Sequence, residues 1–394
     1  MPEQAVKILT EGNYTCVLLG GEQVYTATAR GVRPLLDWLD SGIDVRGFTA
    51  ADKVVGRATA FLYVLLGVKK VWAAVMSTPA KNALEENGIT ALCSKEVPGI
   101  INRRGDGPCP FEEAVLGITD PTLALEAIRQ KQFRMRQPQS IAAITDGKPF
   151  RLDTTGLSGS TVAIFEDMVV KCEPVSEESG NHLAMLRWLE GKIEAPRVLE
   201  SVLQDGFQWV LMSRIPGEMA CADPFRADPH GLVRVLAEAM KQLWALDASD
   251  CPVDQSPRAK LERARKIVEA GKVDMDLTEP DTFAPGGFAS PEALLHWLED
   301  HIPEYEPVVT HGDYCLPNVF LKDRKFSGFL DLGRSGRGDK WTDIAILWRS
   351  LRDNFGGRYG KGVAGFHPDE LFDALGLGKD EARLRFYLLM DELF

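Results

Sequence analysis

The sequence predicts two mixed domains: a three-layer α/β domain in the first third, then a larger α+β domain whose strand-rich part precedes a mainly helical part. Three observations lead there. At 394 residues the chain is longer than one average domain. Strand-like and helix-like patterns alternate over residues 1–130, which implies helices layered on a sheet. Beyond residue 150, strand patterns at Thr161–Glu166, Met168–Cys172, Arg197–Gln204 and Phe207–Met212 come before long stretches of helical periodicity.

The opening reads as a hairpin, Tyr14–Leu19 and Gln23–Ala27 around Gly20-Gly21. Arg33–Leu39 has leucines at helical spacing and is closed by Ser41-Gly42. Thr49-Ala-Ala-Asp52 resembles a capping box, so a helix is expected from there, with Val54, Val55, Ala58, Phe61, Leu62, Leu65 and Leu66 on a wide apolar face. Val71–Met76 reads as a buried strand, followed by a helix started by Thr78-Pro79 and stopped by Asn87-Gly88. In Lys131–Ser140, basic and then Gln/Pro-rich, the helical pattern dies, which places a linker at 131–140 between domains at 1–130 and 141–394. Further on, helical patterns run over His230–Leu246, Pro257–Ala270 and Pro291–His301.

Composition bounds the function. Apolar content of 45% with 26% charged residues is that of a protein with a sizeable core. The longest strongly apolar run, Phe61–Val68, is too short for a bilayer, and Met1–Thr10 lacks a signal pattern. A soluble cytoplasmic protein without a membrane partner is expected. Seven scattered cysteines without a C-x-x-C pair argue for reduced thiols. A net charge of −12 disfavours a nucleic-acid partner and favours a cationic ligand by long-range steering.

Chemistry concentrates in His311-Gly-Asp-Tyr-Cys-Leu-Pro-Asn318 and Asp331-Leu-Gly-Arg334. Phosphoryl transfer asks for positioning and charge neutralisation. Asp313 is placed to orient or accept the proton of a substrate hydroxyl, and Asn318 with Asp331 offers hard oxygen ligands for Mg²⁺. The strand-turn-strand pattern Val319–Leu330 brings those two ligands back to one place. Upstream, Gly156-Leu-Ser-Gly-Ser160 lies between two strand patterns, where it reads as an ordinary hairpin or as a loop whose backbone amides, those of Ser158, Gly159 and Ser160 among them, approach phosphate oxygens.

These motifs, with Asp250-Cys-Pro252 and the ending Asp391-Glu-Leu-Phe394, resemble the aminoglycoside phosphotransferases, and within them the 3'-phosphotransferase branch of kanamycin and neomycin kinases. The resemblance implies a two-lobed, protein-kinase-like fold for 141–394, with ATP and Mg²⁺ as cofactors, and phosphorylation of an aminoglycoside hydroxyl that confers resistance. It makes Lys171 the phosphate-binding lysine and puts the adenine edge against the backbone from Met212 to Ile215. Asp276, Glu279, Asp353, Glu392 and the terminal Phe394 match positions that bind aminoglycoside ammonium groups. One departure stands out: counting back from Trp188-Leu189, the helix glutamate that pairs with the lysine falls at His182, so either His182 or Glu178, one turn earlier, takes that role. Asp339 and Asp343 are expected to cap a helix and to hold the catalytic loop. A kinase with another hydroxylated acceptor, and a nucleotide-binding regulator with an N-terminal sensor, are the alternatives.

Residues 1–130 resemble an uncharacterised family, DUF1893, whose fold is related to cytidine deaminases, through Ala51–Gly56 and Gly107–Glu112. The deaminase zinc motif is missing, since Asp52-Lys53 and a single Cys109 stand in its place. Asp52, Lys53, Ser77, Cys109 and Glu112 fall where α/β sheets place ligands. The first four also read as a cap, a solvated charge, a turn residue and a small buried thiol, with the amides of Gly105–Gly107 as an alternative anion site.

Overall fold

The computed structural model describes residues 2–102, 104–153, 159–359 and 361–394. They form two compact units, Met1–Ala142 and Ala143–Phe394.

The first unit opens with a helix, α1 (Pro2–Glu11), ahead of the expected hairpin of β1 (Cys16–Gly20) and β2 (Gln23–Ala27). Ala5 and Leu9, one turn apart, bury themselves against Val17, Leu19 and Ala51, a tertiary contact that so short a helix needs. After α2 (Arg33–Asp40), the expectation for Thr49–Val55 is overturned: this is a strand, β3, and α3 (Arg57–Leu66) starts only after Gly56. The local capping signature loses to pairing on both sides of β3, with β1 and with β4 (Lys70–Ser77), which suits the branched Val54-Val55 pair.

Next come α4 (Thr78–Glu86), β5 (Thr90–Val97) and the short α5 (Pro110–Ala114). The stretch expected as a linker is helical: α6 (Pro121–Arg136) runs on through it, with Ala124, Ile128 and Phe133 buried, and Gln137-Pro138 separates it from α7 (Gln139–Thr145). The sheet order is β2-β1-β3-β4-β5, with β3, β4 and β5 parallel. One face carries α1; the other packs Leu18, Val71 and Ala73 with Leu35, Phe61 and Ile128 of α2, α3 and α6. Three layers result.

The second unit begins with a five-stranded antiparallel sheet, built from β6 (Arg151–Asp153), β7 (Thr161–Ile164), β8 (Met168–Pro174), β9 (Val198–Gln204) and β10 (Phe207–Ser213) in the order β6-β7-β8-β10-β9. Between β8 and β9 lies α8 (Glu177–Leu189), which starts at a capping box of Ser176 and Ser179. Asp205 and Gly206, at φ of 53° and 78°, make the tight turn from β9 to β10 that their sequence predicts.

The helical part follows: β11 (Glu218–Met219), α9 (Asp223–Arg226), α10 (Pro229–Trp244), β12 (Asp254–Gln255), α11 (Pro257–Glu269) and α12 (Pro291–Asp300). After β13 (Pro307–Thr310) come the hairpin β14 (Val319–Lys322) and β15 (Lys325–Phe329), then β16 (Gly336–Asp339), α13 (Trp341–Gly356), α14 (Glu370–Leu375) and α15 (Glu381–Asp391). Leu236, Met240, Leu298, Tyr314, Leu347 and Phe386 belong to one core that also takes in Met185 and Leu189 of α8. This is the two-lobed kinase-like plan. No helix among the described residues is long and apolar enough to cross a membrane.

Candidate active site

The loop after β13 is held from below. Asp343, fully buried at the start of α13, accepts the backbone N–H groups of His311 (3.1 Å) and Gly312 (2.9 Å) and the indole N–H of Trp244 (3.1 Å). Burial pushes this carboxyl up, and those same donors pull it back. His311 accepts the Asp313 N–H on Nδ1 and donates from Nε2 to Leu330 O at 2.9 Å, so its ring ties the loop to the end of β15. Gly312 has φ of 81°, and a Cβ there would lie 1.8 Å from Arg334 O, so only glycine fits.

The β14–β15 hairpin does what the spacing requires. Val319 pairs with Phe329, and Leu330 N–H donates to Asn318 O, which sets Asn318 beside the strand end that delivers Asp331. Asp331 takes a left-handed φ of 52°. Asn318 donates from Nδ2 to Asp313 Oδ2 at 2.8 Å and to Asp313 O at 3.0 Å, which leaves its amide oxygen for another partner. Lys171 reaches in from β8, with Nζ 3.1 Å from Asp331 Oδ1 and 3.0 Å from Glu173 Oε2. Against the desolvation around it, Lys171 holds the Asp331 carboxyl below its ordinary range. Asp313, Asn318, Asp331 and Lys171 thus meet in one place.

The lysine's expected helix partners do not pair with it. His182 is buried and accepts the Leu332 N–H on Nδ1 at 3.1 Å; burial, then the nearby Lys171 charge, pushes its pKa down to about 3, so it is neutral. Glu178 points instead to Arg334, 3.7 Å away. Glu173, which sequence reasoning passed over, is the acid in contact with Lys171 on its own strand. The signal was available, since side chains two apart on a strand share a face.

Of the nucleotide-loop residues, Ser158 lies outside the described residues; Gly159 has φ of 67°, and Ser160 precedes β7. Met212 and Ile215 are buried. The amides of Ser213 and Arg214 donate to Arg197 O and Asp167 O, whereas the Ile215 N–H has no partner among the described residues.

Three of the expected acceptor residues converge. Glu279 N–H donates to Glu392 Oε2 at 2.8 Å, and Glu279 and Asp353 share two guanidinium groups. Arg352 lies 2.5 Å from Glu279 and 2.7 Å from Asp353, and Arg358 lies 3.3 Å and 3.1 Å from the same two acids. Sequence reasoning missed both arginines. Glu392 keeps no ion pair among the described residues, and burial pushes it up to about 7. Asp276 is exposed, and among the described residues its side chain has no hydrogen bond or ion pair, so it stands apart from the other three. The Arg334 guanidinium lies over the Phe394 ring at 5.6 Å. A cavity of about 330 Å³ beside the site is lined by Glu178, Lys260, Arg334, Asp391 and Phe394 among others. Lys260 is buried there, its ammonium pushed down to about 8 by desolvation, with Asp391 the main counterweight.

In the first unit most of the candidate residues serve the fold, and the side chains of Ser77 and Glu112 meet. Asp52 is no helix cap: it is buried in β3, accepts the Tyr63 hydroxyl at 2.7 Å and the Val54 N–H at 2.9 Å, and burial pushes it up to about 6. Lys53 is exposed and reaches Asn13 at 3.2 Å. Ser77 caps α4, Cys109 precedes α5, and the Glu112 carboxylate accepts the Arg57 N–H at the start of α3, 2.5 Å away. The amides around Gly105 are taken by Asn102 Oδ1, 2.9 Å from Gly105 N and 3.0 Å from Arg104 N.

A lysine from a sheet, an aspartate on a glycine-bearing loop and an Asn/Asp pair delivered by a hairpin define a phosphotransferase. The family profile described as "Phosphotransferase enzyme family" (APH) matches residues 151–377, and the chain belongs to that family. An aminoglycoside 3'-phosphotransferase of Enterococcus faecalis is 36% identical over 212 residues, 53% of this chain and 76% of the relative. One from Escherichia coli is 30% identical over 274 residues, 65% and 94% of the two chains. Among solved structures, the aminoglycoside phosphotransferase APH(3'')-Id of Streptomyces rimosus matches with a TM-score of 0.54 at 26% identity, over 65% of this chain and 99% of that one. The profile "Domain of unknown function (DUF1893)" matches residues 4–132.

Proposed function

We propose that the protein transfers the γ-phosphoryl group of Mg·ATP to the 3'-hydroxyl of an aminoglycoside and so confers resistance from the cytoplasm. The observation that carries the reading is the meeting of Asp313, Asn318, Asp331 and Lys171 in one cleft. Relatives are named for the 3' position, and the Streptomyces rimosus structure exists in complex with ADP and streptomycin.

The donor set fits a hard cation: the free amide oxygen of Asn318 and the half-exposed carboxylate of Asp331 would hold Mg²⁺. Bound there, Mg²⁺ supplies charge neutralisation of the phosphate oxygens. Asp313 orients the acceptor hydroxyl and takes its proton, with Asn318 fixing its carboxylate. Lys171 and the loop before β7 hold the triphosphate, and the Ile215 N–H offers a donor to adenine.

Purified protein with Mg·ATP is expected to release ADP with kanamycin and not with an aminoglycoside that lacks the 3'-hydroxyl. Equal turnover with both would move the site of transfer. One observation favours a second reading, a kinase for another hydroxylated acceptor: Glu279 and Asp353 are already neutralised by Arg352 and Arg358. Turnover in a panel of polyols and nucleosides, with none on any aminoglycoside, would select it.

Glu392 makes acceptor binding pH-dependent. Its raised value of about 7 means the free site is partly protonated near neutrality, and an ammonium ligand needs the ionised form. Affinity should therefore rise, by about fivefold, from pH 6 to pH 7 as the proton is lost. Calorimetric titration at both values checks this, and Glu392→Gln should flatten the slope.

A further inference from the structure

We propose that Glu173 on β8, and not an acid on α8, is the carboxylate that positions Lys171 for the nucleotide phosphates. The inference rests on the reading of Lys171 as the phosphate-binding lysine.

Strand alternation makes the pair. Met168, Val170 and Cys172 turn into the core, so Lys171 and Glu173 share the opposite face. Their side chains are only 12% and 13% exposed, and Glu173 Oε2 lies 3.0 Å from Nζ. The other oxygen, Oε1, is buried with no hydrogen-bond partner among the described residues. A buried carboxylate left half unsatisfied is costly, and its contact with Lys171 is the interaction that offsets that cost.

Helix α8 cannot supply the same anchor. At the position where an acid is expected it carries His182, whose Nδ1 is used by the Leu332 N–H and whose Nε2 has no partner among the described residues. A neutral ring with its acceptor nitrogen occupied has nothing to offer an ammonium group. It braces the backbone after Asp331 instead. Glu178, 58% exposed, is committed to Arg334. Among the described residues this leaves Glu173 and Asp331 as the acids in contact with Lys171. Once Asp331 serves a metal ion, Glu173 alone holds the lysine, and it does so from the same strand, independently of where α8 sits.

The test is nucleotide affinity of the full chain, measured by calorimetry with Mg·ATP. Glu173→Gln, nearly identical in shape, is expected to raise Kd by about 30-fold, the loss typical of breaking a buried charged pair, with acceptor affinity unchanged. Glu178→Gln should stay at the wild-type value. Adding His182→Glu to Glu173→Gln returns a carboxylate from the helix side and should recover most of the affinity. Wild-type affinity in Glu173→Gln, with loss in Lys171→Met, would overturn the inference alone, as would an equal cost for Glu178→Gln. A wild-type protein that binds no Mg·ATP would overturn the functional reading, and the inference with it.

Discussion

Asp313→Asn is expected to lower kcat by about a thousandfold while Kd for Mg·ATP changes by less than about threefold. The carboxamide keeps the size of the side chain and leaves the loop standing, because the loop is held by Asp343 and His311. What it loses is the ability to take a proton and the negative charge that orients a hydroxyl. Lys171 and Asp331, proposed to serve the nucleotide, pair with each other and not with Asp313. Steady-state ADP release together with calorimetric ATP titration separates the two effects. Turnover near the wild-type rate would refute the assignment of Asp313.

Asp343→Ala is expected to destabilise the second unit by about 4 kcal/mol and to abolish turnover as well. Three N–H groups, from His311, Gly312 and Trp244, end on this one buried carboxylate. Truncation leaves them without acceptors where water cannot easily replace them, and it opens a cavity beneath the loop. Asp343→Asn retains one acceptor oxygen and should cost less than half as much. Denaturant unfolding of the three proteins measures the order; an alanine variant as stable as the asparagine one would show that these bonds do not carry the loop.

The parts of the chain that could be read correctly share a property: their determinants lie close together in sequence. Asp205-Gly206 makes a turn because of its own backbone preferences, and Pro257 and Pro291 start helices for equally local reasons. The misread parts involve partners far away. Thr49–Asp52 carries a helix-start signature, yet neighbours on both sides make it a strand. Residues 131–136 look like the end of a pattern, yet burial of Phe133 carries α6 through them.

The geometry of the proposed catalytic segment was determined by the sequence itself, because Asp313, Asn318 and Asp331 are joined by one loop and one hairpin whose register follows from strand length and turn. The charges around that segment were decided only by the tertiary structure. Whether Lys171 also meets Glu178 or His182 depends on how α8 packs against the residues after Asp331, where a Cβ on Gly333 would come within 2.6 Å of Glu178, whereas its contact with Glu173 follows from alternation along β8. Whether Glu279 and Asp353 are free for a cationic acceptor depends on Arg352 and Arg358, which α13 and the turn after it bring to Glu279. Between elements far apart in sequence, long charged side chains choose partners by distance in space, and no spacing along the chain encodes that distance.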